Sequence, residues 1–366
     1  MSASTPLPPR TRSSAAKSRT AKKPKRRPRR WLRLLYLLLA VVIVGLGLYV
    51  GKLWKQTNDA LEHIALPGGA GSIASGERAQ VKPLSMVLLG MDYRKQTGSM
   101  NTDVVMVIAM NPKSDTATVV SVPRDTNPQL EGYSRQKINA FYAGFHSEAR
   151  TKEKLSGDAA DAYARDQMRT MMGKMFGIPI DYAAVINFQG FIDVVDALGG
   201  IDVYVDQDMK YRDHADGTNI DLKKGEQHLD GENTLDFVRY RKSNEGTAQS
   251  SDFERNDRQS RVLGAIVDKM KSFGGVLKLG NVIDAVGDNL TTDIPKTQII
   301  NMLKTYYDID RNNIRFLPLE GTWKSPYVYL DPDSLEQAKQ ALAEEMSPDG
   351  RTVQPSASPS SSAGTD

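Results

Sequence analysis

The residues of this chain best suited to chemistry stand at the ends of apolar runs. Leu88-Leu89-Gly90-Met91-Asp92 carries one run into a glycine and then an acid, and Asn101-Thr102-Asp103 stands directly before the next run, Val104–Met110. In an open α/β sheet, ligands gather outside strand termini of this kind. If the two runs pair antiparallel, Asp92 and Asp103 share one end of the sheet. Two hard oxygen donors there suit Mg²⁺ (or Mn²⁺), which takes one or two carboxylates together with phosphate oxygens and water. The alternative is a hairpin whose Asp residues cap turns. Ser121-Val122-Pro123-Arg124-Asp125 then brings a guanidinium and a carboxylate to the end of a third run. The competing reading there is an exposed Arg–Asp pair that contributes little.

A second cluster lies further along. Phe237-Val238-Arg239-Tyr240-Arg241-Lys242 is followed by Ser251-Asp252-Phe253-Glu254-Arg255-Asn256-Asp257-Arg258-Gln259. On a helix beginning near Arg255, the residues Arg255, Arg258 and Gln259 are spaced i, i+3 and i+4 and share a face. The unpaired N–H groups and dipole of a helix N-terminus favour anions, and guanidinium groups beside them make a diphosphate clamp. Phe237, Val238 and Phe253 hold the segment against the body of the protein. Other engines are missing. There is no G-x-x-x-x-G-K-[ST] loop, no H-E-x-x-H and no G-x-S-x-G, and the four His are scattered. With no Cys, thiol nucleophiles, zinc fingers and iron–sulfur sites are excluded.

The elements that must position these residues alternate between two patterns. Short β-branched runs predict strands over 85–89, 104–110, 116–122, 182–186, 201–205 and 314–317. Longer stretches predict helices over 158–176, 188–198, 255–272, 295–307 and 334–346. The alternation points to an α/β domain over 83–346, a layered mixed β-sheet flanked by helices. Residues 52–82, loosest at Pro67-Gly68-Gly69, read as a juxtamembrane linker, and the Ser/Pro-rich stretch 347–366 as a disordered tail.

Charge divides the chain sharply. Of 48 Lys and Arg, 14 precede the first acid, Asp59, leaving 34 basic residues against 44 acidic ones, a net of −10, in the remainder. The 18 uncharged residues 34–51 would span about 27 Å as a helix, close to the hydrocarbon thickness of a bilayer. Trp31, Tyr36, Tyr49 and Trp54 bracket them. The positive flank 1–33 predicts a cytoplasmic N-terminus, a single transmembrane helix and an extracytoplasmic domain in the cell membrane. An anionic body repels phosphate backbones, so nucleic acid is not an expected partner.

Taken as a set, the motifs resemble the LytR–CpsA–Psr family of bacterial cell-envelope proteins. The matching stretches are LLGMD (88–92), NTDVVMVIAMNP (101–112), SVPRDT (121–126), KINAFYAGF (137–145), INFQGFIDVVDALGGIDV (186–203), FVRYRK (237–242) and DFERNDRQSRVL (252–263). They occur in family order over roughly residues 84–320. The resemblance implies a membrane-anchored phosphotransferase that moves a glycopolymer from a polyprenyl-diphosphate carrier onto peptidoglycan through a phosphodiester link. It implies a divalent metal on Asp92 and Asp103 and phosphate contact by Arg124. Arg239, Arg241, Arg255, Arg258 and Gln259 would form the diphosphate site, with Lys137 a further binding residue and Asp125 a candidate base. It also implies an apolar cavity for the lipid; Met168–Met175 and Phe188–Leu198 either line it or pack as ordinary core. Met91 and Glu254 depart from many members, which carry a Gly before the Arg, and Glu254 adds a negative charge beside the clamp. Two alternatives stay open at this point: a prenyl-diphosphate hydrolase using the same site, and a non-catalytic envelope-binding or regulatory protein.

Overall fold

The computed structural model describes residues 73–352 apart from 95–98, 215–216, 273–281, 283–284 and 308. The basic head, the apolar run 34–51 and most of the expected linker lie outside these residues. Among the described residues no helix is long and apolar enough to cross a membrane.

The apolar runs become strands β1 (Leu84–Arg94), β2 (Ser99–Asn111), β3 (Thr116–Ser121), β4 (Tyr182–Asn187), β9 (Leu290–Thr292) and β10 (Ile314–Pro318) of one mixed sheet, in the order β10-β3-β2-β1-β4-β9. β1 and β2 pair antiparallel, as the two-carboxylate reading requires, while β1 pairs with β4 in parallel. β5 (Ile201–Val205) does not join this sheet. Its alternating burial marks a strand with one wet face, and it pairs with β8 (Gly225–Leu229) beside a second two-stranded ribbon, β6 (Met209–Arg212) and β7 (Asn219–Leu222).

One face of the main sheet is closed by α1 (Phe141–Thr151), α2 (Asp158–Phe176) and α7 (Pro332–Glu345). Val87, Leu89, Val105 and Val107 pack there against Phe141, Met168, Met172 and Leu342. The methionines of α2 are therefore core, the second of the two readings open to them, on the face away from the apolar cavity described below. The other face is covered by α3 (Phe188–Leu198), α4 (Gly231–Arg239) and α5 (Asp252–Lys271), which share a second core with β5 to β8, and by α6 (Lys296–Tyr306), which packs in a separate apolar cluster with α3 and α5. α3 and α4 approach so closely that a Cβ on Gly231 would meet the Ile192 carbonyl oxygen at 2.4 Å.

Both ends of the expected domain extend further than the sequence pattern suggests. The buried amide of Gln298 on α6 donates to the Glu77 carbonyl and accepts from the Ala79 N–H, binding part of the expected linker to the body. Beyond α7, Asn111 donates to the carbonyls of Glu345 and Ser347, both at 2.8 Å, so the start of the expected disordered tail is docked. Buried Glu345 accepts from the Thr116 and Thr118 hydroxyls and lies 3.3 Å from Arg351.

Candidate active site

A β-bulge builds the core of the site. The β1–β2 register passes from Gly90 opposite Val104 to Met91 opposite Thr102, leaving Asp103 as an extra residue. In an unbroken strand alternate residues face opposite ways, and Asp103 would follow Val105 and Val107 into the core. The bulge turns it instead onto the second face, where Asp103 and Val104 line the same cavity in succession. Gly90 is needed opposite, because a Cβ there would sit 2.8 Å from the Cβ of Val104. On β1 the pleat places Asp92 on the face of Leu88 and Gly90. Both carboxylates thus lie at one end of the sheet on one face.

Arg124, just past β3, donates Nη1 to Asp103 Oδ1 at 2.9 Å, and both side chains are largely buried. Arg239, the last residue of α4, stands with its guanidinium carbon 4.8 Å from the Phe188 ring centre, held at the cavity wall by a cation–π contact. One turn earlier, burial pushes the Asp236 carboxyl up to about 6, against the opposing pull of Arg239.

α5 begins earlier than the sequence pattern indicates, at Asp252. Ser251 is its N-cap, with its side chain accepting from Glu254 N–H and the Glu254 carboxylate accepting from Ser251 N–H at 2.6 Å. Glu254 is thus turned back into a capping box, its carboxylate bonded to Ser251 at the start of α5. From this start Arg255, Gln259, Val262, Leu263 and Ile266 form one stripe that lines the cavity.

Arg258 departs from that stripe, and its expected diphosphate role is corrected by the structure. At about 100° per residue, positions i+3 and i+4 lie on opposite sides of position i. Gln259 falls toward the cavity and Arg258 toward the second core, where it is fully buried. It donates Nε and Nη2 to the two carboxylate oxygens of Asp206 at 2.8 and 2.7 Å, and Nη1 to the Tyr240 carbonyl at 3.2 Å. Burial opposes ionisation of Asp206, but the bonds and charge of Arg258 outweigh it and hold the carboxyl below its ordinary value. Asp125 and Lys137 are likewise engaged with one another, at 2.8 Å, with Asp125 only 4% exposed at its side chain. A carboxylate so enclosed and already paired is poorly placed to take a proton from an acceptor. Arg241 is half-buried and does not line the cavity.

The cavity itself, about 100 Å³, runs between the sheet and α3, α4 and α5. Its walls are Leu88, Met106, Ile186, Phe188, Phe191, Leu235 and the apolar side of α5, with Asp103, Asn187, Arg239, Arg255 and Gln259 as the polar lining. Leu88 is also a wall of a second apolar cavity of about 360 Å³ that reaches Met302 and Tyr306 on α6. Such a space fits an amphiphile with an anionic head and a hydrocarbon tail. Phe188 and Phe191 meet the expectation for α3. Asn187 was not anticipated; it caps α3 by accepting from Gly190 N–H at 2.8 Å and donates to Asn289.

Among the described residues no group of three or more His, Asp or Glu could hold a metal alone. Two carboxylates fit a hard cation that completes its shell with phosphate oxygens and water.

The LytR_cpsA_psr family pattern matches residues 56–345. A relative from Bacillus subtilis (strain 168), the polyisoprenyl-teichoic acid–peptidoglycan teichoic acid transferase TagV, is 32% identical over 329 residues, 86% of this chain and 78% of its own length. The crystal structure of B. subtilis TagV superposes with a TM-score of 0.57 at 30% identity, covering 73% of this chain and 98% of that one. A structure of TagT bound to LI-WTA gives a TM-score of 0.53 at 25% identity, over 76% of this chain and 94% of the other. With the pattern reaching from before β1 to the end of α7 and a relative matched along most of its length, the chain belongs to the LytR–CpsA–Psr family.

Proposed function

We propose that this protein is a membrane-anchored, Mg²⁺-dependent phosphotransferase that moves a glycopolymer from a polyprenyl-diphosphate carrier onto peptidoglycan. The observation that carries the reading is the convergence of Arg124, Arg239, Arg255 and Asp103 where an apolar cavity meets the end of the sheet. The substrates named for the relatives, polyisoprenyl-linked polymer and peptidoglycan, support it. The run 34–51, with its basic flank, supports a single-pass anchor that keeps the domain at the membrane surface where the lipid donor resides.

In this reading the prenyl chain enters between the sheet and α3–α5, leaving its diphosphate at the polar lining. Arg239 and Arg255 neutralise the diphosphate oxygens, Gln259 supplies a neutral hydrogen-bonding partner, and Arg124 faces the phosphoryl group that is attacked. Phosphoryl transfer depends mainly on in-line positioning and on neutralising charge on the equatorial oxygens. Fixed guanidinium groups in a site the lipid keeps dry do this without reorganising. Asp92 and Asp103 would hold the Mg²⁺, which when bound lowers the charge on the phosphates and supports the departing lipid phosphate. The Arg124–Asp103 bond fixes the guanidinium beside that carboxylate. An acceptor sugar hydroxyl then takes the phosphoryl-linked polymer and prenyl phosphate leaves.

The test is the full chain in vesicles with a prenyl-diphosphate oligosaccharide, a peptidoglycan acceptor and Mg²⁺. Asp103→Ala and Arg124→Ala are expected to lower phosphodiester product by about 10²–10³-fold with folding retained, the loss typical of a transition-state charge stabiliser. Unchanged product in both variants would sink the assignment. Released polymer in place of linked polymer would make the protein a hydrolase.

A further inference from the structure

A further concavity lies beside the loop that carries Arg124, and the lipid reading leaves it unused. The hairpin of β11 (Gly321–Lys324) and β12 (Tyr327–Leu330) is tied to the loop after β3. Val328 N–H donates to the Asp125 carbonyl and Asn127 N–H to the Val328 carbonyl, both at 2.9 Å. This short loop carries Arg124, bonded to Asp103, at one end and Asn127 at the other. Asn127, Gln129, Tyr133, Ser134, Arg135 and Tyr329 enclose a groove of about 390 Å³.

Its surroundings pair rings with cations. Arg135 lies 5.3 Å from the Tyr327 ring centre and donates to the Tyr329 hydroxyl at 2.7 Å. Lys174 stands over Tyr133 and Lys324 over Tyr329 at 5.1 and 5.9 Å. Aromatic faces beside amide and guanidinium donors suit a sugar chain. The rings take the C–H faces of the sugars, and the donors take hydroxyls and carboxylates. A concentration of Arg and Lys on a body of net charge −10 selects an anionic ligand against the overall sign.

Placement decides which sugar chain fits. The hairpin is a sheet of its own, and its Val328 bridges Thr126 on the short loop that carries Arg124 and Asn127. Tyr133 of the groove packs against the core on the first face of the main sheet and the lipid cavity lies on the second, so the two approach the Arg124–Asp103 pair from opposite faces. In an in-line displacement the attacking oxygen arrives opposite the leaving one. We propose that this groove seats the acceptor, a glycan strand bearing carboxylates, and presents its hydroxyl to the Arg124 side of the diphosphate. The proposal rests on the transferase reading above.

It is tested with the full chain in detergent, sedimented with peptidoglycan sacculi stripped of attached polymer and titrated separately with a prenyl-diphosphate oligosaccharide. Tyr329→Ala and Arg135→Ala are expected to weaken sacculus binding about tenfold, the scale of an interface anchor, and to leave donor binding unchanged. In the transfer assay, KM for the acceptor rises while kcat holds. Because Arg135 is on a separate loop, its variant stands even if Tyr329→Ala disturbs the hairpin. Absence of sacculus binding by the parent protein, or unaltered binding by both variants, overturns the proposal. A loss confined to the donor also overturns it and assigns the groove to the incoming polymer. Failure of the transferase reading looks different: sacculi and donor both bind, and no phosphodiester forms.

Discussion

The Arg258–Asp206 pair separates a structural arginine from the phosphate-binding ones. The Arg258 side chain is fully buried, while that of Asp206 is 24% exposed, and the two share parallel bonds. Asp206→Asn leaves a buried guanidinium without its counter-charge. Removing one partner of a buried pair costs about 3–5 kcal/mol, and the partial exposure of Asp206 argues for the lower end, about 3 kcal/mol. Arg258→Met removes the charge at similar volume and leaves a carboxylate that can turn to water, so about 1–2 kcal/mol is expected. The double variant should be less destabilised than the sum of the two, by about 2 kcal/mol of coupling. Urea unfolding of residues 73–352, followed by circular dichroism at neutral pH, measures all three.

The pH dependence of this pair has a definite sign. The folded Asp206 carboxyl is held below its ordinary 3.8. Its stabilisation is complete above that value and is lost as pH falls through the lowered one, so parent and Asp206→Asn should converge in strong acid. The reasoning is refuted if Asp206→Asn matches the parent in stability. It is equally refuted if Arg258→Met folds with full stability yet no longer binds the lipid diphosphate.

Two further outcomes follow from the site. Asp236 carries a raised folded value of about 6, so the folded state holds its proton more tightly than the unfolded chain and stability falls as pH rises from about 4 through 6. Asp236→Asn should therefore stabilise the protein at pH 7.5 by about 1–2 kcal/mol, an amount discounted for its contact with water, and by nothing at pH 4; equal unfolding midpoints at pH 7.5 would refute this. Leu263→Trp adds a ring to the α5 wall of the lipid cavity. It should raise KM about tenfold for a long-chain prenyl donor and leave a geranyl donor unaffected, measured by product formation; equal effects on both donors would remove the lipid from that cavity.

Much of the framework was legible in residue order. The predicted helices over 158–176 and 188–198 match α2 and α3, because helix length, a following glycine in the left-handed region and an abrupt change of period are all local signals. Residue order left antiparallel pairing of the two runs holding Asp92 and Asp103 as a condition, and the structure meets it. α1 and α4 were missed as helices: both carry glycines and aromatics whose burial depends on partners far along the chain. Residue types raised phosphate, a divalent cation and a membrane as partners to consider. They did not establish which arginines meet the cavity. Arg255 and Arg258 have the same chemistry and lie three residues apart, and a rotation about the helix axis assigns one to the lining and the other to Asp206. The destination of Asp103 depended on a single bulged residue that overrides strand alternation. The groove beside Tyr329 exists because a hairpin some 200 residues after Arg124 folds back onto its loop. Local composition selects a side chain and its chemistry, but the direction in which it points is settled by register, helix phase and partners that only the folded chain brings together.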